Sequence, residues 1–210
     1  EIYFPEIRSN TTPLYDTFIK YTIKSIRETE PATRQLSKLS TDELYKSILI
    51  RLHHHALTCS RYHLEPSEFS TDEKEQQNVI DEALISGCPQ ILRRDEKGIY
   101  FRFRALQDYL VARSIEEELM RYSKKDSSTV PKTLLINRKV LMTGSLIAKF
   151  LIDAVREKRL IAEDLLNFIK ISKISPMQSP FATAAANIVT ILNAADYNFS
   201  GLDLSNICIP

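Results

Sequence analysis

The sequence predicts a mainly α-helical fold with one β-hairpin and a C-terminal segment of five-residue period. Through most of the chain, apolar residues recur at the spacing of an amphipathic helix. Between Gln90 and Arg104 the spacing changes to near alternation around the turn sequence DEKG, as in a hairpin. From Ala195 onward, apolar residues recur every five positions, a period that fits neither a helix nor a flat strand.

Composition places the chain among globular proteins without a strong overall electric field. The 210 residues are 43% hydrophobic, which is enough to form a sizeable core. Twenty-eight basic and 27 acidic residues leave a formal net charge of +1, so any site for a polyanion has to be local. The three cysteines, Cys59, Cys88 and Cys208, are widely spaced and form no disulfide framework, which favours a reducing cytoplasm.

Targeting and phosphate-binding signals are missing from the sequence. No apolar run reaches the roughly 18 residues of a membrane-spanning helix, and the N-terminus has no signal-peptide pattern. We therefore expect a cytoplasmic protein that does not contact a membrane. The chain begins at Glu1 without methionine, which suggests a piece of a longer protein. None of its four glycines belongs to a nucleotide-binding loop, so we expect no cofactor in this fragment.

Three helices are predicted before the hairpin. Each opens on a Ser or Thr that can accept a hydrogen bond from the first helical turn. The predicted N-caps are Thr11 or Thr12, Ser40 or Thr41, and Ser70 or Thr71. The predicted apolar faces consist of Leu14, Phe18, Ile19, Ile23 and Ile26 in the first helix, of Leu44, Ile48, Leu52 and Ala56 in the second, and of Val79, Ile80 and Leu84 in the third.

The hairpin and the helix after it complete the first module. The closing helix carries its apolar residues at Leu106, Leu110, Ile115 and Leu119 and ends in the polar linker SKKDSSTVPK. Three helices followed by a two-stranded wing and a closing helix form a winged-helix arrangement. We therefore predict a winged-helix module over residues 1–122.

A helical connector is predicted over residues 123–195. One of its helices is built on Leu146, Phe150, Leu151, Ala154 and Val155, and AEDLLNFIKISK adds a short one. The last helix is expected to start with Ser179 as N-cap and Pro180 at its first position. It is rich in alanine and has one apolar stripe, formed by Phe181, Ile188, Val189 and Leu192.

The tail divides into the units ADYNF, SGLDL and SNICI. The first position of each unit is small, and the third and fifth positions are large and apolar. These units resemble the pentapeptide-repeat family, which implies that residues 196–210 start a square β-coil. Its expected inward residues are Tyr197, Phe199, Leu202, Leu204 and Ile207. Coils of this kind need stacking neighbours, so we expect the alanine-rich helix to cover one open end. An extended tail with an accidental period is the alternative.

The stretch FRFRALQDYLVA, Phe101 to Ala112, carries a second resemblance. It is similar to the segment that closes the winged helix in NACHT-type NTPases of the STAND signalling class, with matches at Phe101, Gln107, Tyr109 and Ala112. The resemblance implies that an NTPase domain binding ATP or ADP precedes this chain. It also implies that packing in a nucleotide-dependent switch involves Phe101, Phe103, Leu106, Gln107 and Tyr109.

Phe103 departs from the family pattern, which has a histidine at this position that reaches the bound nucleotide. A phenyl ring cannot donate that hydrogen bond. Arg102 or Arg104 could approach a phosphate instead, and the alternative is that both arginines are solvated residues of the hairpin.

The function expected from these resemblances is regulatory and structural. The chain would couple nucleotide state to a repeat surface or helical connector that binds a protein, and the full-length protein could form oligomers on activation. Three alternatives stay open: a freestanding adaptor, a bacterial effector fragment, and a winged-helix module that binds nucleic acid. The acidic third helix disfavours the last of these, because it would repel a duplex.

Catalytic and metal-binding patterns are weak. The stretch RLHHHALTCSRYH contains His53, His54, His55, Cys59 and His63, but we interpret these histidines as surface and boundary residues and predict no metal site. Glu116, Glu117 and Glu118 follow one another on a helix, which predicts a solvated face rather than acid–base chemistry. No catalytic motif is present, so we expect no enzyme activity in this fragment.

Overall fold

The computed structural model describes residues 12–29, 41–59, 81–82, 84–86, 89, 91–96, 98–125, 129–173 and 181–207. It is mainly helical with one small antiparallel sheet, as the sequence predicts. In chain order the elements are α1 (Thr12–Thr29), α2 (Thr41–Cys59), β1 (Leu92–Asp95), β2 (Gly98–Phe101), α3 (Arg104–Tyr122), α4 (Leu146–Arg156), α5 (Ala162–Ser172) and α6 (Ala182–Ala194). Residues 81–82 and 84–86 are also helical, and Leu135–Asn137 form a 3₁₀ turn.

The chain divides into two compact units, Glu1–Val111 and Ala112–Pro210, so the division falls inside α3. The predicted domains 1–122, 123–195 and 196–210 remain a prediction. The predicted caps Ser70 or Thr71, the apolar residues Val79 and Ile80, and the stop at Gly87 lie outside the described residues.

In the first unit, α1 and α2 each bury one face. On α2, Ile48, Leu52 and Ala56 are buried, as predicted. On α1 the buried side chains include Tyr15 and Ile19, whereas Leu14 is 50% exposed. The predicted face of α1 was therefore right at Ile19 and wrong at Leu14, because tyrosine at position 15 buries its ring and leaves Leu14 on the solvent side.

The hairpin forms with the predicted turn. Leu92 pairs with Phe101, and Asp95 pairs with Gly98, which leaves a two-residue loop between the strands. Leu92 and Phe101 are buried and the hairpin packs against α2 through β2. The helix α3 follows, and all four of its predicted apolar residues, Leu106, Leu110, Ile115 and Leu119, are buried.

In the second unit, α6 packs against α4, α5 and the 3₁₀ turn. Its buried residues, Ala184, Ala185, Ala186, Asn187, Ile188, Ile191 and Leu192, cover more of the helix than the single stripe predicted. Alanine side chains let several neighbours approach the helix closely, so α6 is central in this unit. Its N-cap is Phe181, which makes no side-chain capping bond, while Ser179 and Pro180 lie outside the described residues.

The segment after α6 turns every five residues. The backbone adopts a positive φ at Asp196 (63°), Gly201 (81°) and Asn206 (59°). Asn198 and Asp203 each lie two residues before the start of the next unit. The side-chain oxygen of Asn198 accepts a hydrogen bond from Ser200 N, and that of Asp203 accepts one from Ser205 N, both at 2.9 Å. The five-residue period of the sequence is therefore also a period of the backbone.

Candidate functional site

In the first turns of α3, two of the predicted switch residues, Gln107 and Tyr109, contact two other helices of the first unit. The ring of Tyr109 stacks on that of Tyr15, with centroids 5.1 Å apart and planes at 19°. The Tyr109 hydroxyl donates a hydrogen bond to the Asp16 carboxylate. Burial raises the pKa of Tyr15. Tyr109 therefore joins α3 to α1 through both stacking and hydrogen bonding.

The residues just before Tyr109 fix α3 to α2. The buried amide of Gln107 donates from Nε2 to the carbonyl oxygen of Ala56 at 3.4 Å. Leu106 and Phe101 are buried, and Phe103 is half-buried. The Phe103 carbonyl accepts from Leu106 N and Gln107 N, both at 3.2 Å, so this residue starts the helix with its backbone.

Both candidate phosphate-binding arginines lie at the surface. Arg104 is 70% exposed and forms an ion pair with Asp108, from Nε to Oδ1 at 3.0 Å. Arg102 is exposed, and its backbone N–H donates to Ile91 O at 2.8 Å, which closes the base of the hairpin. Their exposure fits both interpretations, a phosphate contact and a solvated hairpin.

A buried polar cluster on α2 is not apparent in the sequence. The Asp81 carboxylate accepts from Arg51 Nε at 2.6 Å and also from Arg51 Nη2, and it lies 2.7 Å from His55 Nε2. Asp81 and His55 are 5% and 6% exposed. Burial alone would raise the pKa of Asp81, but the hydrogen bonds from Arg51 and His55 outweigh it and lower that pKa to about 2.

His54 belongs to the edge of this cluster. Its Nδ1 lies 3.2 Å from Arg51 Nη1, and its ring meets the His55 ring edge-on at 5.7 Å. Burial and the positive charge of Arg51 lower the pKa of His54 to about 4. Arg51 and His55 both lie on α2, so their contacts with the Asp81 carboxylate fix the helical residues 81–82 to α2.

Metal-ligand geometry is absent from the part of the chain that the structure describes. No group of three His, Cys, Asp or Glu side chains there could hold a metal ion. His63 lies outside the described residues, and nothing is described of the Cys59 side chain.

Glu116 is buried, so the prediction of a solvated glutamate face was wrong for this residue. It is 2% exposed and binds two arginines: Oε1 accepts from Arg113 Nη1 at 2.8 Å, and Oε2 accepts from Arg159 Nη1. Glu118 accepts from the backbone N–H of Leu135 at 2.6 Å, whereas Glu117 is exposed. The sequence could not show this, because Arg159 is 43 residues away from Glu116.

Two ion pairs tie the five-residue turns to helices of the same unit. Arg156 Nη2, at the end of α4, donates to Ala194 O at 2.8 Å and to Asp196 Oδ2 at 3.1 Å. Lys173, after α5, donates from Nζ to the side chain of Asp203 at 3.1 Å and to its carbonyl oxygen. Hydrogen bonds from Ser205 and the Lys173 ammonium lower the pKa of Asp203 to about 2.

The predicted repeat residues are less buried than a closed coil would make them. Tyr197, Phe199, Leu204 and Ile207 are half-buried, and Leu202 is 39% exposed. Tyr197 and Phe199 meet edge to face, with ring centroids 5.2 Å apart. The large side chains of the tail therefore still have apolar surface to bury.

No protein family, curated protein or solved structure matches the chain. Within the described residues, no helix is both long enough and apolar enough to cross a membrane.

Proposed function

We propose that this chain is a regulatory and scaffolding region of a STAND-type signalling NTPase. In this proposal the first unit is a winged-helix module that responds to the nucleotide state of an NTPase domain. The tail is the start of a pentapeptide-repeat coil that presents a protein-binding surface. The chain itself performs no catalysis, and ATP or ADP binds in the NTPase domain. The cytoplasm is the expected location.

The observation that carries the proposal is the five-residue recurrence of backbone turns. Positive φ values recur at Asp196, Gly201 and Asn206, and these residues occupy the second position of each sequence unit. A square coil needs a corner at such an interval, and large residues in each unit that point inward. Apolar surface left on Leu202 is what a coil end exposes before another coil stacks on it.

The first unit supports the winged-helix part of the proposal by the order of its elements. Two long helices, the helical residues 81–82 and 84–86, a hairpin and a closing helix follow one another along the chain. Tyr109 and Gln107 hold the closing helix to both long helices through polar contacts. A two-state switch needs contacts that can be exchanged as a set, and we propose that these two contacts are exchanged when the bound nucleotide changes.

The experiment uses the full-length protein expressed from its complete gene. Amide hydrogen exchange of Arg104–Tyr122 is compared in the ADP-bound and ATP-bound protein. We expect faster exchange over α3 in one nucleotide state, and a smaller difference in the Tyr109→Phe variant than in the matched Tyr100→Phe variant. A gene without a nucleotide-binding domain, or identical exchange in both states, would contradict the proposal and favour the adaptor.

A further inference from the structure

A loop of the second unit is fixed by one buried side chain. Asn187 on α6 is 1% exposed, and its amide group binds the 3₁₀ turn and the segment after it. Its Nδ2 donates to the carbonyl oxygens of Ile136 and Lys139, both at 2.7 Å. Its Oδ1 accepts from the backbone N–H of Leu141 at 2.7 Å. The backbone is therefore held on both sides of Val140.

The same loop keeps apolar side chains in solvent. Val140 is 52% exposed and Met142 is 77% exposed, whereas Leu141 between them is buried. Met142 opens a turn in which its carbonyl oxygen accepts from Ser145 N at 2.9 Å. A Cβ atom added at Gly144, inside this turn, would meet no atom within 4 Å. The turn thus projects into open space while its base is fixed.

Basic residues precede the two apolar side chains along the chain. Lys139 is exposed next to Val140, and Arg138 precedes it. Two hydrogen bonds bring a second segment alongside: Asn137 Nδ2 donates to Lys132 O at 3.1 Å, and Arg138 Nε donates to Thr133 O at 3.0 Å. The backbone of Lys132, whose side chain is also exposed, is therefore held next to Asn137, immediately before Arg138.

We propose that residues 138–144, the docking loop, bind an acidic segment of a partner protein that carries bulky apolar side chains. Fixing a loop in advance lowers the entropy that binding has to overcome, and Val140 and Met142 supply the apolar contact. Lys132, Arg138 and Lys139 supply the complementary charge. An anionic bilayer is the weaker fit, because surface attachment through basic residues typically involves about four to eight of them.

This inference goes beyond the proposed function. It uses no residue of the winged-helix unit and none of the five-residue turns. Failure of the NTPase proposal would leave the docking loop untouched, and loss of the docking loop would leave the NTPase proposal untouched.

The test measures binding of the chain to a labelled peptide by fluorescence anisotropy. The probe is a synthetic amphipathic helix of about 15 residues with glutamate on one face and leucine on the other. We expect saturable binding that weakens as salt is raised. Met142→Ser and Lys139→Glu should each weaken it about tenfold, because each removes one apolar or one charged contact at the loop.

Matched variants separate the loop from general surface effects. Ile161→Ser removes another exposed apolar side chain of the same unit, and Lys170→Glu reverses another exposed charge. Both should bind the peptide as the unaltered chain does, and thermal unfolding verifies that all four variants are folded. The proposal is overturned if the peptide does not bind, if the controls lose as much affinity, or if a lysine–leucine peptide or phosphatidylserine vesicles bind better.

Discussion

Tyr109 and Asp16 join two helices that are far apart in sequence. The hydroxyl of Tyr109 donates to the Asp16 carboxylate across 93 positions, while the neighbouring Tyr15 stacks on the Tyr109 ring. The start of α3 is thus located by α1 as well as by α2. A change at Tyr109 is therefore expected to alter the packing of α3 against α1.

We expect Tyr109→Phe to destabilise the first unit by about 1 kcal/mol, because it removes the hydrogen bond but keeps the stacked ring. Tyr109→Ala should cost roughly 3–5 kcal/mol, since it also leaves a cavity beside Tyr15. Urea unfolding measures both. Tyr100→Phe, a change in the hairpin, is the control and should have little effect. Equal stability of the Tyr109→Phe and Ala variants would show that the ring is not packed as described.

Glu116 should be the most sensitive acidic residue of the second unit. Replacing it by glutamine removes the charge that Arg113 and Arg159 share, so we expect a loss of about 3 kcal/mol in the free energy of unfolding. The neighbouring Glu117 is exposed, and Glu117→Gln should change stability by less than about 0.5 kcal/mol. Similar unfolding curves for the two variants would contradict the two-arginine contact.

The pH dependence of the first unit should report His54. Its pKa in the folded chain is lowered from 6.5 to about 4, so the unfolded chain binds a proton first as the pH falls. Stability is therefore expected to decrease from pH 6.5 to pH 4. His54→Gln should flatten the profile in this window, as measured by urea unfolding at a series of pH values.

Asp81 should affect the stability of the first unit at lower pH. The direction is the usual one for a carboxylate with a lowered pKa: stability falls as the pH falls. Its pKa is lowered from 3.8 to about 2, so its contribution is present above pH 3.8 and is lost as the pH falls toward 2.

His53→Gln is the control for His54 on the same helix. If the profile stays steep between pH 6.5 and pH 4 in His54→Gln but flattens in His53→Gln, the pH dependence comes from His53, and the prediction for His54 is wrong.

Local signals in the sequence predicted the elements well. The spacing of Leu106, Leu110, Ile115 and Leu119 placed α3, and the turn sequence DEKG placed the hairpin, because both depend on residues close together in the chain. A period also identified the tail, where a repeated pattern in sequence is matched by a repeated φ value.

Contacts between distant residues could not be predicted in the same way. Spacing alone does not distinguish Leu14 from Tyr15 as the buried residue of α1, because the choice depends on Tyr109. Likewise, Glu116 is a surface-type residue until Arg159 lies beside it. The Asp81 cluster needs two partners from α2, His55 and Arg51, which are 26 and 30 residues away. Such pairings depend on tertiary packing, which no local pattern encodes.

Asn187→Ala should release the loop that follows the 3₁₀ turn. Three backbone groups, Ile136 O, Lys139 O and Leu141 N, would lose their partner inside the unit, and we expect a loss of about 2–4 kcal/mol. Asn193→Ala changes an exposed asparagine of the same helix and should be nearly neutral. Thermal unfolding gives the stabilities, and amide exchange at Leu141 shows whether the loop opens first.

The five-residue turns can be tested at Gly201. Its φ of 81° lies in the left-handed region, where valine is strained and asparagine is tolerated, as Asn206 shows at 59°. A Cβ atom at Gly201 would meet nothing within 4 Å, so the cost of a substitution comes from the backbone alone. We expect Gly201→Val to cost about 1–2 kcal/mol and Gly201→Asn a few tenths.

Exchange of the Leu202 amide, which donates to Phe199 O at 3.0 Å, should accelerate about tenfold in the valine variant. Gly144 also has open space but no positive φ, so Gly144→Val is the matched control and should leave this exchange unchanged. If valine and asparagine at position 201 behave alike, the repeated left-handed corner does not hold the turns, and the tail is an extended segment with an accidental period.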